Sequence, residues 1–303
     1  MKWSGPARHD NGRVVTRTAP PELLETLDVR PRIDPDAEVR RRVRFIRDYL
    51  EASGGRRLWL AVSGGVDSAV CGRLCALAVE ALNAEPGKET RPFRFIAVRL
   101  PYRRQDDEAD AAEVLGWMAP GETVVVDIAP AVAALEESLP AAQLAPHSAR
   151  ERDFARGNTK ARIRMAVQYH LANLRGGLVA GTDHAAEAVV GFFTKFGDGA
   201  ADLTPLFGLT KRQVRQLART LGAPERIVGK APTADLEDLR PGIPDETALG
   251  LRYDEIDDYL EGLPVAAEVA DRIEAIYSAT AHKRRGPVTP GDRWWISCAA
   301  GDR

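Results

Sequence analysis

The feature that most constrains this chain is the apolar run Leu58 to Val62, which passes directly into Ser63, Gly64, Gly65, Val66, Asp67 and Ser68 before helical periodicity begins. A short apolar run bounded by glycines is a buried strand. Small residues at its C-terminal end let backbone N–H groups and the next helix's N-terminus close around an anion. The hydroxyls of Ser63 and Ser68 add donors. No Lys follows the glycines, so this is not a Walker A loop, and the spacing is not that of GxGxxG. Asp67 inside such a turn would be repelled by phosphate unless a divalent cation lay between them, which implies Mg²⁺. The plainer alternative is a glycine-rich turn in which Asp67 only caps a helix.

The rest of the chain repeats the alternation of strand and helix. From Asp34, Val39, Val43, Ile46, Tyr49 and Leu50 recur at helical spacing until Gly54 and Gly55. After the loop come a helix from Asp67, a strand Phe93 to Leu100, a helix Asp106 to Met118 and a strand Glu122 to Ile128. A helix from Asn158 to about Leu174 then leads to the apolar run Leu178 to Ala180 and the segment Thr182 to Val190. Buried strands alternating with helices predict an α/β fold: a doubly wound, mostly parallel, Rossmann-like sheet with helices on both faces. Thr210 and Gln213 form a capping-box pattern, with Gly222 where that helix should end. Lys230 to Asp245 is rich in Pro and Asp and long enough to suggest a functional mobile loop. Two helices, about Asp254 to Glu261 and Val265 to Thr280, close the chain. Residues 1–33 read as a loosely held N-terminal arm with a short helix at Pro21 to Leu27, 34–295 as one domain and 296–303 as a tail.

Composition narrows the class. The chain has 303 residues with 42 basic against 44 acidic, a net charge of -2, so no general excess of positive charge exists to hold nucleic acid. No apolar run reaches the ~20 residues needed to span a bilayer, and the N-terminus lacks the apolar core of a secretion signal; a cytoplasmic enzyme is expected. Cys71, Cys75 and Cys298 are too few for a disulfide framework and lack His partners nearby, so they read as small buried apolar side chains.

The SGGVDS turn resembles the SGGxDS signature of the N-type ATP pyrophosphatases (PP-loop superfamily), which form adenylates or similar AMP-activated intermediates and release pyrophosphate. Further segments are AVRLPY at 97–102, RGNTKARIRM at 156–165, GTDHAAEAVVGFFTKFGDGAADLTPL at 181–206, LTKRQ at 209–213, KAPTADLED at 230–238, YDEIDDYLEG at 253–262 and HKR at 282–284. Together they resemble ammonia-dependent NAD synthetase over roughly residues 34–295. The resemblance implies amidation of nicotinic acid adenine dinucleotide (deamido-NAD) with ammonia, through an acyl adenylate. ATP is then a co-substrate, Mg²⁺ the metal, and a homodimer the expected assembly.

Carried over residue by residue, Ala61, Val62, Ser63, Gly64, Gly65, Val66, Asp67 and Ser68 would hold the ATP phosphates. Arg99, Gln105, Thr182, Lys211 and Thr233 would complete the ATP site. Asp67 and Glu187 would share Mg²⁺, and Lys211 would neutralise the departing pyrophosphate. Arg162, Lys195, His282 and Lys283 would contact the dinucleotide with Asp202 as a hydrogen-bond acceptor, and Asp198 would attract and deprotonate ammonium. Arg99 and Lys211 could instead be surface charges, His282 to Arg285 a cation-decorated helix end, and Phe192 and Phe193 either core or ring-stacking surface. The loop LPYRRQDDE departs from the family wording: Arg103 stands where a Gly usually follows the Tyr. A glutamine-dependent version would need a further amidase domain, so free ammonia is the expected nitrogen donor.

Overall fold

The computed structural model describes residues 9–10, 13–87, 90–103, 108–234, 237–240 and 242–295. The Asp34 carboxylate accepts a hydrogen bond from Ala37 N–H at 2.8 Å and opens α1 (Pro35–Ala52), whose first residue is a proline with φ already suited to a helix. Next come β1 (Arg57–Ala61), α2 (Val66–Asn83), β2 (Arg94–Arg99), α3 (Glu108–Met118) and β3 (Glu122–Val125). The chain continues through α4 (Ala149–Arg175), β4 (Leu178–Ala180), α5 (Ala185–Val190), α6 (Lys211–Thr220), α7 (Tyr253–Leu260) and α8 (Ala267–Ala279).

The four strands form one parallel sheet in the order β3-β2-β1-β4. Period-two alternation assigns its faces. Leu58, Leu60, Phe95 and Ala97 join the core formed with α1, α2 and α6, while Trp59, Ile96, Val98 and Val179 join the opposite core with Ala172 of α4. Because β2 and β3 extend the sheet from one side of β1 and β4 from the other, the winding reverses between β1 and β4. The loops leaving their C-terminal ends diverge there and leave a crevice, the usual ligand position in an open α/β sheet.

Two elements differ from the sequence reading. Helix α4 starts at Ala149, well before Asn158, because a capping box between Ser148 and Glu151 nucleates a polar stretch that has no apolar period to read. β3 ends at Val125 rather than Ile128. It is the outer strand with Val125 65% exposed, and the following residues keep only single bonds, Val126 N–H to Arg99 O and Ile128 N–H to Pro101 O.

The arm is the larger difference. Thr16–Arg17 pair with Val265–Ala266, and the Arg17 guanidinium donates to both Glu274 oxygens at 2.7 and 2.8 Å. Leu23, Leu27 and Val29 are buried in a third core with Val189, Tyr259 and Ile273. Residues 16–33 are therefore bound into the fold; the short helix expected there is present at Pro21–Thr26, and it sets Leu23 and its C-cap Leu27 one turn apart against the core. The described residues between Lys230 and Asp245 are also tied down, by a two-residue ladder of Thr233–Ala234 with Ile243–Pro244 and by Asp153, which accepts from Asp238 N–H and Leu239 N–H at 2.9 Å each. Cys71 and Cys75 are free and buried, as expected; Cys298 lies outside the described residues.

Leu27 is 2% exposed. Leu27→Ala should lower unfolding free energy by about 2–4 kcal/mol in urea titrations; a loss within about 0.5 kcal/mol would mean the arm contributes nothing to the fold.

Candidate active site

The crevice is lined first by the turn after β1. Gly64 has φ +82, a conformation that L side chains rarely adopt, and this left-handed residue lets the turn close. Ser63 N–H donates to Ser68 Oγ at 3.3 Å, Gly65 N–H donates to Ser63 Oγ at 3.3 Å, and Ser68 Oγ donates to Gly65 O at 3.1 Å. Gly65 is the N-cap of α2 and places no side chain over the helix end. The first-turn N–H groups of an eighteen-residue helix therefore point into the crevice with the positive end of its dipole. Ala61 N–H is held from behind by Gln168 Oε1 at 2.9 Å, and Val62 N–H by Val98 O at 2.9 Å.

The turn after β4 supplies the facing wall. Gly181 allows close approach, since a Cβ there would lie 2.7 Å from Ala201 Cβ. Thr182 and Asp183 follow, then His184, which is fully buried and caps α5 by accepting Glu187 N–H at Nδ1, 3.4 Å. With Nδ1 accepting, Nε2 is the ring atom that carries a proton. That atom lies 3.5 Å from Asp67 Oδ1 and 3.5 Å from Glu187 Oε1.

Lys211, 1% exposed, completes the cluster. Its Nζ donates to Asp67 Oδ2 at 2.6 Å and lies 3.9 Å from Glu187 Oε1, 3.4 Å from His184 Nε2 and 4.9 Å from the Tyr253 ring centroid. Burial works against the charge on Asp67, but Lys211 and then His184 outweigh it and hold the carboxyl well below the usual carboxylate range. Burial pushes Glu187 up to about 8, with Asp67 and Asp183 adding to the rise against His184 and Lys211. Burial also opposes the charge on Lys211, and Asp67 followed by Glu187 more than compensate, so its pKa is raised. Asp67 Oδ1 is buried with no hydrogen-bond partner, and one ligand atom each from Asp67, His184 and Glu187 lie within 4.8 Å of one another. Two carboxylates beside a protonated Nε2 make an oxygen donor set, which suits a hard cation.

The sequence-selected cations converge on the segment 191–199. Arg162 Nε donates to Lys195 O at 3.3 Å, Lys195 Nζ to His282 O at 2.5 Å, and Lys283 Nζ to both Gly191 O and Phe193 O at 2.9 Å. Asp198 accepts Thr194 N–H at 2.9 Å. Its side chain keeps solvent access on one side, while protein packed behind it pushes its carboxyl up. Asp183 is driven to about 7 by burial and then by the charge of Asp198. Asp202 accepts Val179 N–H at 2.7 Å, so one of its oxygens is committed to the edge of β4. Arg99 is buried at the end of β2, and Thr233 is exposed on its two-residue ladder; Gln105 lies outside the described residues.

Sequence reasoning singled out neither His184, Asp183 nor Tyr253 as site members, nor Lys230, whose Nζ bonds Asp110 at 2.9 Å and reaches Gly64 O at 3.5 Å. His184 carried a signal: it precedes Glu187 by three residues behind a strand, an N-cap position.

With this geometry in view, comparison with known proteins decides the family. The NAD synthase family model matches residues 38–287. The chain belongs to the NAD synthase family. It is 54% identical over 277 residues to the NH(3)-dependent NAD(+) synthetase of Mycobacteroides abscessus, covering 90% of this chain and 97% of that protein. The crystal structure of NAD+ synthetase from Burkholderia pseudomallei superposes with a TM-score of 0.74 at 49% identity, covering 88% and 95% of the two chains. NMN synthetase from Francisella tularensis gives 0.72 at 33% identity, covering 86% and 100%.

A carboxyl that titrates near 8 when folded and near 4.5 when free contributes stability that is fully present below about 4.5 and is lost as pH rises through about 8. The urea midpoint of the ligand-free protein should therefore fall between pH ~5 and ~8, and Glu187→Gln should make that fall shallower. An unchanged pH slope in the variant would assign the proton uptake to other groups.

Proposed function

We infer that this member of the NAD synthase family makes NAD by amidating the pyridine carboxylate of deamido-NAD with ammonia, at the expense of ATP. The observation that carries the residue roles is the meeting, at one switch point, of an open helix N-terminus with Asp67, Glu187 and Lys211.

In this reading the Ser63 to Ser68 turn and Thr182 hold the ATP phosphates, with Arg99, Gln105 and Thr233 at the edges of the nucleotide. A carboxylate oxygen of the substrate attacks the α-phosphorus, and the bond to the β-phosphate oxygen breaks and releases pyrophosphate. Lys211 follows the charge onto that leaving group. Asp67 and Glu187 would hold Mg²⁺, which when bound neutralises phosphate charge and orients the pyrophosphate. Ammonia's lone pair then forms the C–N bond, the C–O bond to AMP breaks, and Asp198 takes the surplus proton. Arg162, Lys195, His282 and Lys283 line the substrate side, with Asp202 accepting a hydrogen bond there.

The hairpin from Lys230 to Asp245 shields the adenylate from water. A homodimer fits the exposed Leu135 and Phe154, which lie on the helix Ala129–Ser138 and on α4, tied together by Arg156 Nε to Glu136 Oε1 at 2.6 Å. Among the described residues no helix is long and apolar enough to cross a membrane, and a cytoplasmic place beside its substrates belongs to the same reading.

Incubation with ATP, Mg²⁺, ammonium and deamido-NAD should yield NAD, AMP and pyrophosphate in equal amounts, with the yield lost in Asp67→Ala. Nicotinic acid mononucleotide, the acid of which NMN is the amide, is the competing acceptor. Preference for it, or ATP cleavage without amide, would overturn the assignment.

Lys211 Nζ stands 2.6 Å from Asp67, where a metal's charge would lie, so it acts as a counter-ion that a cation must displace. In the absence of ATP, Lys211→Met should bind Mn²⁺ more tightly than the parent by on the order of tenfold, read by electron paramagnetic resonance. Equal or weaker binding would show that Lys211 does not compete for that position.

A further inference from the structure

We propose that Asp257 is the positioning residue of this active site: it fixes the backbone from which Lys211 extends, and α7 thereby clamps Lys211 at both its ends. The proposal rests on the role given to Lys211 above.

Asp257 is fully buried and, among the described residues, has no cationic side chain at hydrogen-bond distance. Its Oδ1 accepts Lys211 N–H at 2.9 Å and its Oδ2 accepts Arg212 N–H at 2.7 Å. These are the first two N–H groups of α6, which no intrahelical carbonyl can satisfy. The third is served locally, Gln213 N–H donating to Thr210 Oγ1 at 3.1 Å with Gln213 Oε1 answering Thr210 N–H at 3.2 Å. The helix thus has a complete local capping box and receives, in addition, a buried carboxylate from a segment remote in sequence. Burying a carboxylate is costly, and local side chains can cap a helix without that cost.

Position explains the arrangement. Lys211 is the first residue of α6, where helices fray most easily, and its ammonium must reach Asp67 across the crevice. One turn before Asp257 on α7 stands Tyr253, on the same helix face. Its ring lies 4.9 Å from Lys211 Nζ and its hydroxyl donates to Asp245 Oδ2 at 3.3 Å. One face of α7 therefore holds the Lys211 backbone with Asp257 and flanks the ammonium with Tyr253. Further along the same helix, Asp258 and the flanking Glu261 also reach α6 through the partly exposed Arg212 side chain at 2.7 Å each, and Glu261 also accepts from Thr210 Oγ1 at 2.8 Å. Those contacts join the helices without touching Lys211.

The test is a double-variant cycle on single-turnover pyrophosphate release, with enzyme in excess of ATP and the folded fraction measured by thermal unfolding. Asp257→Asn, which cannot accept both N–H groups, should lower the rate per folded molecule about 10- to 100-fold with the enzyme concentration at half-maximal rate little changed. In the Lys211→Met background the same change should have no further effect, because the group it positions is gone. Asp258→Asn should stay within about twofold of the parent rate. If Asp257→Asn does not fold, Tyr253→Leu carries the cycle with the same expectation. Multiplying losses in the double variant, or losses as large in Asp258→Asn, would overturn the proposal and leave Asp257 a tether between two helices. Loss of pyrophosphate release in the parent itself would instead overturn the functional reading.

Discussion

The pairing of Lys211 with Asp67 is the interaction on which the site depends. Two opposite charges are taken out of water beside a second acid, Glu187, and a buried imidazole, His184. Such a group is tolerated only when every member is held, because an unpaired buried charge costs several kcal/mol. The fold supplies the holders from different directions. Asp67 comes from the first turn of α2, Glu187 and His184 from α5, and Lys211 from the first turn of α6. All three are helix beginnings, and two follow directly from adjacent parallel strands. The strand order that puts β1 beside β4 thus also determines which acids can share a cation.

How much of this was legible in the sequence depended on whether a residue's role was local. The turn from Ser63 to Ser68, the capping box at Thr210 and the alternation of strands and helices are short-range patterns, and the structure places them where the pattern says. Helix α4's early start and the burial of Leu23, Leu27 and Val29 were not legible, because the first rests on one polar cap and the second on contacts with α5, α7 and α8. The same division runs through the site. Asp67 and Glu187 could be read because each stands in a motif behind a strand. Tyr253 and Asp257 look like ordinary residues of an acidic amphipathic helix, and only the crossing of α7 over the start of α6 gives them a task.

Arg103 shows what a departure from a family pattern costs. The backbone there has φ 62, the left-handed region in which glycine is at ease and an L side chain is strained by roughly 1–2 kcal/mol. The conformation persists because Arg103 N–H donates to Asp127 Oδ1 at 3.1 Å, while the same oxygen accepts Ala129 N–H at 2.8 Å. Bonding to Asp127 thus holds at Arg103 a conformation in which a Gly would be at ease.

The site also lies on a seam between two cores. The sheet, α1, α2 and α6 form one body of apolar contacts; α5, α7, α8 and the arm from Leu23 to Val29 form another. Asp67 and the Lys211 backbone belong to elements of the first, whereas Glu187, Tyr253 and Asp257 belong to elements of the second. The charged cluster and the Asp257 bonds are thus part of what joins the two cores, through directional contacts rather than through area. Directional contacts lose most of their energy over small displacements, whereas apolar contacts tolerate sliding. A seam of this kind specifies one relative placement of the two bodies, which is what a reaction needs when its acids and its lysine must meet the same phosphate chain.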